Sequence, residues 1–210
     1  MVGGAGTVAT ELAELRAAGE GPRSAERHVP GEPGIWVLLF GDLGLFTILF
    51  AVYLHNRGQQ PELFAQSQAT LNRTLGATNT VVLLASSLLV VLATHAVRRD
   101  PLRRYAPRLV LGAVALGLCF IVIKAFEYHE KLSVGITPGT NEFYMYYFVL
   151  TGLHLAHLIV GLAVLLALWT LARKPAPTKT HIAFFEGGAC FWHMVDLLWI
   201  VIFPLIFLVR

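Results

Sequence analysis

The 210-residue chain is 56% hydrophobic and only 14% charged, with a mean hydropathy of +0.64, where a soluble domain of this size carries nearer ~25% charged residues. Its apolar residues are gathered into long blocks, which places the chain in a bilayer and excludes an ordinary soluble enzyme. The net charge is a modest +3 and the basic residues lie between the blocks, so a nucleic-acid-binding face is excluded too.

Residues 1–33 are rich in Gly, Ala, Glu and Arg and hold no apolar core. They are expected to form a mobile tail on the cytoplasmic side. The stretch lacks the apolar run of a secretory signal, and Val2 excludes the glycine-dependent myristoyl signal. Pro30 and Pro33 mark its boundary, leaving residues 34–210 as the membrane domain.

Five apolar blocks follow: Ile35–His55, Leu75–Val97, Leu109–Tyr128, Phe143–Arg173 and Ile182–Val209. Each is long enough to cross a hydrocarbon core ~30 Å thick at ~1.5 Å per residue. The predicted fold class is all-α, an integral membrane bundle of five transmembrane helices. The fourth block exceeds what crossing requires, and its Tyr144, Tyr146, Tyr147 and Trp169 suit aromatic belts at the two interfaces. In the connection from Asn56 to Thr74, Leu63, Phe64 and Leu71 are placed to lay a short helix on the membrane surface. Asn72-Arg73-Thr74 matches a glycosylation acceptor, a pattern too short to carry weight.

The connections differ in charge. One side holds Arg16, Arg23, Arg27, Arg98, Arg99, Arg103, Arg104, Arg173, Lys174 and Lys179, with Arg108 at the border; the other holds Arg57, Arg73, Lys131 and Arg210. By the positive-inside rule the N-terminus is cytoplasmic and the C-terminus outside.

Ionisable residues inside the blocks are expensive and normally face the bundle interior. Here they are Asp42, Lys124, Glu127, His154, His157, Glu186, His193 and Asp196. At ~100° per residue, His154 and His157 share one face of the fourth helix, while Glu186 and His193 nearly superimpose on the fifth, with Asp196 one turn beyond. Trp192 and Trp199 repeat at the same interval. Facing polar stripes of this kind satisfy each other across a helix pair.

Three arrangements compete for these groups: a structural hydrogen-bond network, a metal site and a haem site. Di-iron bundles use Glu-x-x-His elements, whereas the membrane blocks offer Glu127-x-x-Glu130, His154-x-x-His157 and His193-x-x-Asp196. Two histidines at i, i+3 point the same way and cannot clamp a haem from both faces. The network is favoured and no metal is assigned, with a self-contained membrane metal or haem enzyme as the competing class. Asp42 stands alone, either hydrogen-bonded to a neighbouring helix or handling protons. Cys119 and Cys190 read as small buried apolar residues at a spacing that supports no metal site. A transporter gains no support, since neither an internal repeat nor paired midplane breaks stand out; Gly187-Gly188 and Pro204 lie near the ends of their block.

These residues also spell a family pattern. Thr151-Gly152-Leu153-His154-Leu155-Ala156-His157, closed by Gly161, resembles the Thr-Gly-x-His-x-x-His-x-x-x-Gly signature of cytochrome c oxidase subunit III. Trp192-His193-Met194-Val195-Asp196 with Trp199 and Glu186 resembles that family's final helix. Asn79-Thr80, Leu83-Leu84-Ala85-Ser86-Ser87 and His95 are similar to its Asn-Thr-x-x-Leu-Leu-x-Ser segment, and Glu127-Tyr128 to its Glu-Tyr. The resemblance covers about residues 33–209, in order and at compatible spacing.

What the resemblance implies is a cofactor-free accessory subunit in a bacterial plasma membrane. Haem and copper or iron would reside in partner subunits. The partners implied are a haem-bearing catalytic subunit I, other oxidase subunits and membrane phospholipids. The implied role is support of assembly, proton uptake and turnover stability. Full-length subunit III has seven membrane helices and this sequence five, an even difference that leaves the orientation unchanged. Asp42 stands where the long family carries a membrane Glu, and is the proton-linked carboxyl candidate; Glu127, His154, His157, Glu186, His193 and Asp196 are the polar-network candidates. The segment Pro30-Gly31-Glu32-Pro33-Gly34-Ile35-Trp36 before the first helix also resembles subunit III-like proteins associated with nitric-oxide reductases, an alternative the sequence leaves open.

Overall fold

A computed structural model describes residues 33–99, 101–174 and 178–209. The expected tail up to residue 32 lies outside the described residues, as does Arg210.

The regular structure is helical throughout the described residues. Helix α1 spans Pro33–Gln59, α2 Pro61–Ala69, α3 Arg73–Arg98, α4 Ala106–Ser133, α5 Glu142–Ala172 and α6 Lys179–Phe203. A 3₁₀ turn, Arg103–Tyr105, leads into α4, and a π turn, Pro204–Leu208, closes α6. Five of these helices are long and apolar enough to cross a membrane, so the chain is a multi-pass, all-α membrane bundle. Each crossing helix overruns its apolar block at one end at least, because capping chemistry rather than hydropathy sets the ends. Pro33, assigned to the tail on composition, opens α1, where its missing N–H is one of the unpaired donors of a first turn anyway.

Asn72 caps α3 by accepting from the N–H groups of Thr74 and Leu75. Asn141 caps α5 by accepting from Tyr144 N–H. Thr178 and His181 form a reciprocal capping box on α6. The end of α4 is a Schellman turn: Gly135 N–H donates to Leu132 O and Ile136 N–H to Lys131 O, with Gly135 at φ +80°, a conformation that favours glycine. The fourth crossing helix has 31 residues, about 46 Å of helix, which carries both aromatic ends past the hydrocarbon. There the Arg173 guanidinium sits 4.8 Å from the Trp169 ring.

Helices α3, α4, α5 and α6 close a four-membered ring: α3 packs on α4 and α6, and α5 on α4 and α6, while α1 lies against α5 and α6. The most apolar window of α6 is 61% buried and that of α1 only 17%, so α6 is the central post and α1 the outer one. Close packing is made by glycines around Trp192. A Cβ on Gly117 would stand 2.9 Å from Trp192 Cη2, and one on Gly161 2.9 Å from Trp192 Cε3.

The surface helix expected between the first two crossings is α2, and it is more deeply seated than a surface helix need be. Phe64 and Leu71 are buried, and Gln68 Nε2 donates to Ile206 O at 3.0 Å. Tyr53 OH donates to Leu205 O at 3.3 Å. The carbonyls left over at the end of α6 are thereby satisfied by α1 and α2.

Candidate functional site

Polar side chains inside the bundle fall into separate contacts, each bridging different helices. Asp42, on α1, places Oδ1 3.4 Å from Nε2 of His157 on α5, both side chains partly accessible. His157 Nδ1 lies 2.8 Å from Leu153 O. A carbonyl can only accept, so Nδ1 carries a proton. Nε2 is left as the nitrogen turned toward the Asp42 carboxyl. The pair brings a carboxylate and an imidazole of two different helices together. It lines a cavity of 240 Å³ with Leu38, Val160 and Phe191, and the edge of Phe46 backs the imidazole with ring centroids 5.5 Å apart.

Glu127 belongs to the deepest charged group. It accepts from Lys124 Nζ at 3.0 Å and from Tyr147 OH at 2.6 Å, with Lys124 and Glu127 each 1% exposed. The ammonium also lies 5.0 to 5.7 Å from the ring centroids of Tyr128, Tyr147, Trp199 and Phe207, so a carboxylate and aromatic faces together replace its water.

His154 is fully buried without a hydrogen bond on either nitrogen. It packs between Trp199, at 5.2 Å, and Phe120, at 5.6 Å. Beside it Thr151 Oγ1 donates to Tyr147 O at 2.6 Å and so accepts from Tyr128 OH at 2.6 Å.

Glu186 is paired with Arg98 of α3. His193 Nδ1 lies 2.7 Å from Ser87 Oγ, and Ser87 also faces the Asp196 carboxyl. One turn on, Trp199 Nε1 donates to Thr80 Oγ1 at 3.1 Å. The polar stripe of α6 is thus answered chiefly by α3: of the two histidines of α5, His157 turns to α1 and His154 meets α6 through the ring of Trp199. The reason is rotational. His157 points outward to α1 and His154 inward to Phe120 and Trp199, whereas Glu186 and His193 look across to the hydroxyls and the arginine of α3.

Among the described residues no three His, Cys, Asp or Glu side chains converge on a metal-sized point. Cys190 is partly buried, but Cys119, expected inside, is exposed on the outer face of α4. Residues whose roles sequence reasoning missed are Lys131, Gln68, Tyr53 and Ser87. Lys131 Nζ donates to Thr70 O at 2.6 Å and, like Gln68 and Tyr53, makes a contact distant in sequence that no local pattern signals. For Ser87 the signal was its place in the Leu-Leu-Ala-Ser-Ser run.

The described contacts define a class: a helical membrane subunit whose interior polar groups tie helix to helix and bring no metal ligand set together. The sequence matches the family model for cytochrome c oxidase subunit III over residues 32–209. It is 30% identical to a cytochrome c oxidase subunit 3 of Synechocystis sp., over 83% of this chain and 74% of that relative. It is 27% identical to a cytochrome bo(3) ubiquinol oxidase subunit 3 of Buchnera aphidicola, over 83% of this chain and 84% of the relative. It is 26% identical to a heme-copper oxidase subunit I+III of Aeropyrum pernix, again over 83% of this chain but only 22% of that longer protein. The chain belongs to the cytochrome c oxidase subunit III family, and is an accessory subunit of a haem–copper oxidase working with other oxidase subunits.

Proposed function

We propose that this chain is a haem-free and copper-free subunit that packs laterally against the haem-bearing catalytic subunit I in a bacterial cell membrane, N-terminus cytoplasmic. There it supports assembly, proton uptake and turnover stability, and the redox centres belong to its partners. The naming of the Aeropyrum relative as a fused subunit I+III supports a subunit I neighbour. Glu127, His154, Glu186, His193 and Asp196 serve the bundle's internal packing, and phospholipids cover its outer faces.

The observation that carries the proton-linked part is the contact between Asp42 and His157, 3.4 Å apart on two helices. A carboxyl and an imidazole sharing one proton at the outer side of the bundle can take up and release it without moving a charge through the core. The test is Asp42→Asn in the assembled oxidase. The complex is expected to assemble normally, with slower proton-coupled turnover and a shorter active lifetime. An unchanged initial rate together with an unchanged lifetime would remove Asp42 from that role.

A further inference from the structure

Two oxygens in the polar stripe of α6 are buried without a hydrogen-bond partner, Oε2 of Glu186 and Oδ1 of Asp196. The residues are only 6% and 5% exposed, and ten residues of helix, about 15 Å, separate them. Buried polar atoms almost always have a partner, so the two orphans mark the polar stripe of α6 as one its protein neighbours leave incompletely satisfied.

Space for water is present. Helices α3 and α6 line an open-sided recess of 280 Å³ whose polar residues are Thr94, His95 and Arg98 on one side and Glu186, Cys190 and His193 on the other. A water molecule needs roughly 10–15 Å³ of probe-occupied volume and two to four polar partners; this cavity offers room for several, with the Arg98 guanidinium, both imidazoles and the threonine hydroxyl as partners. An acyl chain would leave these lining groups without partners, and a phosphate would meet the Glu186 carboxylate with like charge. Water satisfies them. At the inner end the chain of contacts continues through protein atoms, from His193 Nδ1 to Ser87 Oγ at 2.7 Å and from Ser87 to Asp196.

We propose that the cleft between α3 and α6 is a water-filled seam, open beside Arg98 at the basic end of the bundle, through which His193, Ser87 and Asp196 exchange protons with bulk water. One direction of donation satisfies the chain: cavity water donates to His193 Nε2, His193 Nδ1–H donates to Ser87, and the Ser87 hydroxyl donates to Asp196. Thr80, Ser87, Thr94, His95 and Arg98 are polar and charged groups of α3 that face the stripe. The seam lies on the α3 side of α6, away from the Asp42–His157 contact, and stands or falls independently of that pair's role.

The chain carries its own reporters, since Cys190 lines the cavity and Cys119 is exposed on the outer face of α4, midway along a crossing helix. The assembled oxidase is treated with the membrane-impermeant, cationic trimethylammonioethyl methanethiosulfonate, and the mass added to this subunit is followed in Cys119→Ser and Cys190→Ser complexes. Thiols react as thiolates, which form in water and not in hydrocarbon, so Cys190 is expected to react about tenfold faster than Cys119 or more. Thr94→Leu, which fills the cavity, should slow Cys190 by a similar factor. Equal rates at the two cysteines, or a Cys190 rate indifferent to Thr94→Leu, overturn the hydrated cleft. For the inner end, the infrared carboxyl band assigned by its loss in Asp196→Asn is expected to shift within minutes of transfer to D₂O. A band unmoved overnight overturns proton exchange at Asp196.

Discussion

At the scale of single residues, Lys124 and Glu127 show how a charge survives inside a membrane bundle. The carboxylate takes one bond from the ammonium and one from Tyr147, and four aromatic rings close around the cation. Removing one partner of such a pair strands the other, at a cost of about 3–5 kcal/mol, while replacing both with apolar groups is often neutral. Glu127→Ala is therefore expected to lose about 3–5 kcal/mol of stability in detergent unfolding, and Lys124→Met with Glu127→Leu to recover most of it. A double variant as unstable as the single one would show that the charges, and not their balance, hold the helices. The pairing was half legible in the sequence, because residues three apart on a helix are neighbours. Tyr147, Trp199 and Phe207 were not, since they arrive from α5 and from the end of α6, whereas Tyr128 sits one turn from Lys124 on α4 itself. His154 makes the opposite point: as one of two histidines in a motif it reads as a polar-network member, and only its ring neighbours and unpartnered nitrogens reveal a packing role.

At the scale of helices, apolar block length located every crossing, but it could not give the ends or the rotation. Ends depend on Asn72, Asn141, Thr178 and Gly135, each a local capping signal inside a connection that hydropathy treats as blank. Rotation depends on which small residues admit a large one, and Trp192 is the decisive case. Held between Gly117 of α4 and Gly161 of α5, it fixes the angle at which α6 presents Glu186 and His193 to α3. An added methyl at Gly161 would fall 2.9 Å from a rigid indole already bounded on its far side by Gly117. Overpacking of this kind costs about 1–3 kcal/mol, so Gly161→Ala is expected to lower stability by that amount, with Trp192→Phe in the same chain restoring part of it. Full stability in Gly161→Ala would mean that the indole is free to shift. The family segments in the sequence turn out to be the ones that touch: the Asn-Thr-to-Ser-Ser stretch of α3 meets α6 through Thr80 and Ser87, and Tyr128 of α4 meets Thr151 of α5. A pattern read as four separate likenesses is one packed interior.

At the scale of the whole molecule, the asymmetry of charge between the two ends of the bundle also frames its polar contacts. Arg103, Arg104, Arg108, Arg173 and Lys174 surround a single recess at one end of the bundle, and the Glu186–Arg98 pair lies on that side too. The opposite end holds Lys131, whose ammonium is taken up by Thr70 O, and the tyrosines of α5. A positively charged end is retained in the cytoplasm because moving its arginines across the membrane works against both the potential and the hydrocarbon. The arrangement predicts where each connection lies. In a chain whose own two cysteines are replaced by serine, Thr137→Cys places a thiol between α4 and α5, and Leu102→Cys places one between α3 and α4. An impermeant thiol reagent added to intact cells is expected to label the first at once and the second only after the membrane is opened. The reverse order would invert the bundle, move the water-filled seam's mouth to the outer surface, and leave Asp42 nearer the outside than the cytoplasm.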